Sequence, residues 1–215
     1  MLFDIVCRNS KQSQNRITLQ QKIMKNAVKI LAVVMLLPFL SGCGYNKLVT
    51  QDEAINQAWA QVENAYQRRA DLIPNLVETV KGYANFEKST LTDVIEARAK
   101  ATSVTVDPSN MSPEAIQNFQ SAQSGLTSSL ARLMVVVEQY PDLKANQNFL
   151  ELQAQLEGTE NRISFERKKF NDMVGAYNTA RRVFPRNIMA MIFGFEERGY
   201  FTAEEGSEKA PEVKF

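Results

Sequence analysis

The sequence predicts an all-α protein, an antiparallel bundle of about four long helices with a kinked first helix. Gly and Pro are scarce, 9 and 7 of 215 residues, while 44% of the chain is apolar and 23% charged, a balance that suits long helices around a core. Apolar residues recur in alternating steps of three and four along four separate stretches, which is the spacing of one helix face. No segment alternates with period two for long enough to make a strand. The length fits one domain with processed or disordered ends.

The elements follow in order. Lys22, Lys25 and Lys29 precede an apolar run from Ile30 to Leu40, which ends in Leu40-Ser41-Gly42-Cys43. This layout is that of a signal peptide. A run of 11 residues is short of the roughly 20 that a membrane-crossing helix needs. A thiol directly after two small residues resembles the bacterial lipobox, whose cysteine is acylated before cleavage and becomes the new first residue. Cys43 is therefore the expected lipidation site, and two or three acyl chains would hold the protein stably on a bilayer. Residues 1–42 then form an N-terminal extension and signal, with 1–23 an upstream segment that export does not need. Residues 43–202 form the helical body and 203–215 a disordered acidic tail.

Thr50 and Glu53 have the spacing of a capping box, so a helix is expected to start there. Its stripe is Ile55, Trp59, Val62, Tyr66, Arg69, Ile73, Leu76, Val80 and Tyr83, and Pro74 should kink it by removing the donor for the Ala70 carbonyl. A second helix is expected over about 86–102, with Leu91, Val94, Ile95, Arg98 and Thr102 on one face. Ser112-Pro113 offers an N-cap with proline in the first turn, opening a third helix to about Gln139. Pro141-Asp142 makes a turn and a new cap, and the fourth helix keeps its stripe from Phe149 to Phe184. The segment 187–201 should fold back on the bundle end.

Histidine is absent and cysteine occurs only at Cys7 and Cys43, so His-bearing zinc sites, di-iron motifs, Ser-His-Asp triads and Cys-His dyads lack an obligatory member. No catalytic residue, metal site or cofactor is expected, and the protein reads as a non-enzyme. Six of the basic residues and one acid precede Cys43, leaving 19 basic and 23 acidic residues after it, a net charge near −4. A mildly acidic body argues against nucleic acid as the partner.

Several charges fall in or beside the apolar lanes: Arg69 and Arg98 on the first two helices, and Glu138, Glu160 and Glu166 on the later ones. A buried guanidinium must pair or reach water, so structural ion pairs are the plain reading of these residues. The sharper one is a pocket in the bundle core around Arg69, Arg98, Glu160 and Arg167, binding a small molecule or supporting hydrolysis. A second lane holds Glu160, Ser164, Arg167, Asn171 and Asn178, whose amides would fix helix register or line a groove for a partner helix. Trp59 and Tyr66 read as core.

Tyr45-Asn46-Lys47-Leu48-Val49, Arg68-Arg69-Ala70-Asp71-Leu72-Ile73-Pro74-Asn75-Leu76-Val77, Lys81-Gly82-Tyr83, Glu96-Ala97-Arg98, Tyr140-Pro141-Asp142-Leu143-Lys144-Ala145 and Glu160-Asn161-Arg162-Ile163, leading to Tyr177-Asn178 and Phe184-Pro185, resemble the LemA family over about Tyr45 to Phe201. Phe170 departs from the tyrosine often found there. The resemblance implies an antiparallel helical bundle at a bacterial membrane surface, on the exported side of the cell membrane or outer membrane. It implies no enzymatic activity or cofactor and supplies no catalytic residue. It also implies a partner, because family members are often encoded beside envelope proteins with a TPM domain. The expected role is a docking or scaffold module for another cell-envelope protein.

Overall fold

The computed structural model describes residues 2–82 and 87–203, the side chains of 2–21, 23, 27–28, 30 and 32–43 excepted. The Cys43 side chain and the acidic tail beyond Ala203 lie outside the described residues. Among those residues every regular element is a helix: α1 (Leu2–Lys81), α2 (Lys88–Ser103), α3 (Pro113–Val137), α4 (Pro141–Lys144), α5 (Gln147–Arg182) and α6 (Arg186–Phe193). The chain divides into two units, 1–47 and 48–215, and the site described below belongs wholly to the second.

α1 passes through Thr50 instead of starting there. Leu48 supplies the reason. It precedes Ile55 by two turns, shares the stripe of Ile55, Trp59 and Val62, and is buried with them, so backward extension of the helix buries one more apolar side chain. The helix also runs on through Pro74 to Lys81. α2 buries Leu91, Val94 and Ala101, but Ile95 is exposed, one step of about 100° away from Val94 on the helix. Ser112 caps α3 as its spacing predicts, accepting from the Ala115 amide at 3.3 Å. The cap expected at Asp142 is not the one that opens the long helix: a single turn, α4, intervenes, and Asn146 accepts from the Phe149 amide at 3.1 Å to start α5. α6 ends on Gly194 in the left-handed region, φ 70°, with the Phe195 amide returning to the Ala190 carbonyl at 2.9 Å.

Two apolar clusters fill the second unit. The first joins Leu48, Ile55, Trp59 and Val62 of α1 to Ile116 and Phe119 of α3, to Phe170, Val174 and Tyr177 of α5, and to Phe201. Trp59 is its centre, edge-on to Phe119 at 5.1 Å and to Phe170 at 5.5 Å, and stacked on Phe201 at 6.0 Å. Trp59 and Tyr66 are core residues, as read from the sequence. The second cluster joins Ile73, Leu76 and Val80 to Leu91 and Val94, to Leu126 and Leu133, and to Leu143, Phe149 and Leu156. Between the clusters lie Arg69 of α1, Gln123 of α3 and Glu160 of α5.

Candidate functional site

Arg69 sits one turn before Ile73, Gln123 one turn after Phe119, and Glu160 one turn after Leu156, so helix periodicity alone brings them to one level. The Arg69 side chain is only 3% exposed. It donates to Glu160 Oε2 at 2.9 Å, to Thr127 Oγ1 at 3.0 Å and to Gln123 Oε1 at 2.8 Å, and its guanidinium stands 5.1 Å from the Tyr66 ring. Gln123 passes the connection on, its Nε2 donating to the Ala101 carbonyl at 3.1 Å. Glu160 is 49% exposed, so one end of this layer is wet and the other dry. A polar layer between two apolar clusters admits few alternative helix registers, because a slip of one turn would leave each group without its partner.

Arg98 is spent on the backbone. Its Nε donates to the Ala70 carbonyl at 2.7 Å. That carbonyl is the one Pro74 deprives of its helical donor, so the guanidinium supplies the bond the proline cannot. A double-mutant cycle tests the link. We expect Arg98→Ala to cost about 2 kcal/mol in the native background, as for a buried acceptor losing a charged donor. In Pro74→Ala, where an amide again serves Ala70, the cost should fall by about 1 kcal/mol. Equal costs in both backgrounds, read from urea denaturation, would separate the two residues.

The remaining predicted charges lie elsewhere. Glu138 is exposed at the end of α3, paired with Lys144. Glu166 is buried, its Oε1 2.6 Å from Arg162, while its Oε2 has no hydrogen-bond partner among the described residues. Arg167 donates to the Thr202 carbonyl at 3.0 Å and lies 4.8 Å from the Phe201 ring. The cavity beside the polar layer holds about 110 Å³ and is lined by Tyr66, Ala101, Phe119, Gln123 and Leu126 among others. Neither Arg69, Arg98, Glu160 nor Arg167 lines it. Such a space suits a few waters.

Asn171 and Asn178 of the second lane bind the chain's own C-terminal segment. Residues 195–203 run as an extended strap, and three side-chain amides each make a reciprocal pair with its backbone. Asn178 pairs with Arg198 (2.9 and 3.2 Å), Asn171 with Phe201 (2.8 and 2.9 Å) and Gln120 with Thr202 (2.9 and 3.1 Å). Arg198 then reaches Asp52 of α1 at 2.8 Å and the Ser109 carbonyl at 3.1 Å. Gly199 donates to the Met111 carbonyl at 2.9 Å, and a Cβ there would stand 2.7 Å from Pro113 Cα, so only glycine lets the strap this close. Sequence reading missed Gln120, Arg198 and Gly199. The available signal was the seven-residue spacing of Asn171 and Asn178.

The strap also fixes Tyr177, whose hydroxyl donates to the Glu196 carbonyl at 3.0 Å. Burial, with the Asp52 carboxylate adding to it, pushes this phenol above its ordinary value of 10.0. The folded state therefore keeps the proton to higher pH than the unfolded chain does. The associated stability is complete below pH about 10 and is lost as pH rises through the raised folded value. Urea midpoints from pH about 9 to 11 should fall less steeply in Tyr177→Phe than in the native chain.

The LemA family pattern matches residues 58–215, which include the polar layer and the strap. The chain belongs to the LemA family. Of the motifs quoted above, only Tyr45–Val49 lies before the LemA match. The chain is 28% identical over 194 residues to magnetosome protein MamQ of Magnetospirillum gryphiswaldense, covering 81% of this chain and 70% of that protein. It is 26% identical over 195 residues to magnetosome protein MamQ 1 of Paramagnetospirillum magneticum, covering 82% and 72%. It is also 26% identical over 160 residues to protein LemA of Metamycoplasma hominis, covering 74% and 69%. None of these names states a reaction. Among the described residues no helix is long and apolar enough to cross a membrane.

Proposed function

We propose that this LemA-family chain is a non-enzymatic, lipid-anchored envelope protein whose helical body is a docking or scaffold module for another envelope protein. One observation carries the reading: the charges that would have built a pocket are turned onto the protein's own groups. Arg69 is held by Gln123, Thr127 and Glu160, Arg98 by Ala70, and Arg167 by the strap. What is left for a ligand is the outside. A groove of about 620 Å³ there runs between α1 and α5 and is lined by Ala65, Arg68, Asp71, Gly158, Thr159 and Arg162 among others. Names of relatives that give a cellular structure and no reaction agree with a structural role.

The scaffold is read as an antiparallel bundle with a bend at Pro74. Supporting this, α1 and α3 pass from the first apolar cluster to the second, whereas α5 passes from the second to the first, and α2 lies in the second with Val104 and Val106 after it leading back to the first. The anchor is Cys43, on the exported side of the cell membrane or the outer membrane. Its test is the mass of the mature amino terminus: a diacylated Cys43 in the native chain and an unprocessed precursor in Cys43→Ser. An unmodified Cys43 still joined to Gly42 in membrane-bound protein would defeat the anchoring. Docking is tested by photo-crosslinking in living cells from Arg68 and Gly158. A single envelope protein joined from both positions, and still joined when Arg69→Met is combined with Glu160→Leu, supports a scaffold. Loss of crosslinking in that folded double variant would favour a core ligand instead.

A further inference from the structure

Large apolar side chains reach solvent one at a time over most of the second unit, at Ile95, Val135, Leu150 and Phe165. At one place they gather. Val183, Phe184, Ile188, Met191, Ile192 and Phe193, on α6 and the turn before it, are all exposed, Met191 by 85%, Phe184 by 75% and Ile192 by 65%. α6 is seated on the core by Ala190 and, in part, Met189. The rest of it faces outward. Exposed clusters of this kind mark interaction surfaces.

Its position says what covers it. Ala190 belongs to the same buried cluster as Leu48, the first residue of this unit, and Arg198, a few residues past α6, is bound to Asp52. α6 thus stands at the end where the chain enters the unit. Cys43 is five residues before Leu48, so acyl chains on that cysteine hold Leu48 within about 17 Å of the bilayer even if the connection is fully extended. α6 itself is only about 12 Å long. Arg182 is exposed and Arg186 half-buried at the near edge of the patch, where cations meet lipid phosphates. Of the acids that follow, Glu197 is paired with Arg181, and Glu196 lies beyond Gly194.

We infer that α6 and the turn before it lie in the headgroup boundary of the bilayer, with Phe184, Met191, Ile192 and Phe193 among the acyl chains and Arg182 and Arg186 among phosphates. The inference rests on the anchoring reading above. It gives the body a second contact with the membrane and so a fixed orientation, with the end bearing the second apolar cluster pointing away.

The test uses the full chain with Cys7→Ser, in vesicles of phosphatidylethanolamine and phosphatidylglycerol. Met191→Cys carries an environment-sensitive fluorophore, Val135→Cys carries the same label as the control, and the chain without an introduced cysteine gives the contribution of Cys43. We expect lipids spin-labelled near the headgroup to quench position 191 several-fold more than position 135, and aqueous iodide to do the reverse. Replacing Phe193 and Ile192 by Asp in the Met191→Cys chain should abolish the lipid quenching while native-like circular dichroism is kept. A label at 191 that iodide reaches in anchored protein overturns the inference and leaves the anchor standing. A label shielded from both quenchers, with a dimer trapped by crosslinking, overturns it in favour of a second copy. Lipid quenching at 191 in protein whose Cys43 proves unmodified supports the surface and removes the anchor.

Discussion

Glu160→Ala is expected to destabilise the protein by about 3 kcal/mol, although Glu160 is the half-exposed member of its pair. The asymmetry of the pair decides this. Arg69 is buried, and without Glu160 its charge keeps only the neutral oxygens of Thr127 and Gln123 and the face of Tyr66. An uncompensated cation in that position is the costly outcome of breaking a buried pair, reduced here because water can enter from the Glu160 side. Arg69→Met acts differently: Glu160 is left to solvent, the apolar stem is conserved, and the cost of about 1–3 kcal/mol comes from Gln123 Oε1 losing its donor. Arg69→Met combined with Glu160→Leu should therefore recover only part of the loss seen in Glu160→Ala, because the buried Gln123 still lacks a donor. Urea denaturation followed by the fluorescence of Trp59, the single tryptophan, checks all three variants. A Glu160→Ala protein as stable as the native chain would mean that Gln123 and Thr127 suffice to hold the guanidinium.

Helix identity was legible because it rests on local spacing. The stripes of α1, α3 and α5, the Ser112 cap and the core placement of Trp59 all follow from residues within one or two turns of each other. The start of the first helix was misjudged for a related reason. Thr50 and Glu53 carry a local start signal, but Leu48 gains burial from residues of α3 and α5 that no local window contains. Arg69 was legible as a charge needing a partner, and Glu160 was among the acids offered. Its other partners, Gln123 and Thr127, were not, since neutral side chains leave no mark on a charge pattern. Arg98 was visible as an anomaly and Pro74 as another, yet their connection needs α2 folded back against α1. The strap was least legible. Extended chain held by side-chain amides has no periodicity of its own, and Gly199 reads as an ordinary glycine until Pro113 is placed against it.

Phe201→Ala should be the most damaging single truncation in the strap, costing about 3–5 kcal/mol if the site does not collapse. Phe201 is buried, stacks on Trp59 and meets Phe170 edge-on at 5.5 Å, so its removal opens a void at the centre of the first cluster. The loss should be felt beyond that void. The amide pairs of Asn171 and Gln120 with residues 201 and 202 hold a backbone whose only deeply buried side chain is Phe201, and ordering an extended segment has its own entropic cost. Without the ring, those bonds compete directly with water. Amide exchange of residues 196–203 should then rise more than that of α3 and α5, and Trp59 emission should shift to longer wavelength as water reaches the indole. Asn178→Ala, which removes two bonds to Arg198 but leaves Phe201 seated, should cost about 1–3 kcal/mol and leave the emission unchanged. If Phe201→Ala leaves both stability and Trp59 emission at their native values, the strap covers the aromatic cluster without sealing it, and the cluster is closed by α1, α3 and α5 alone.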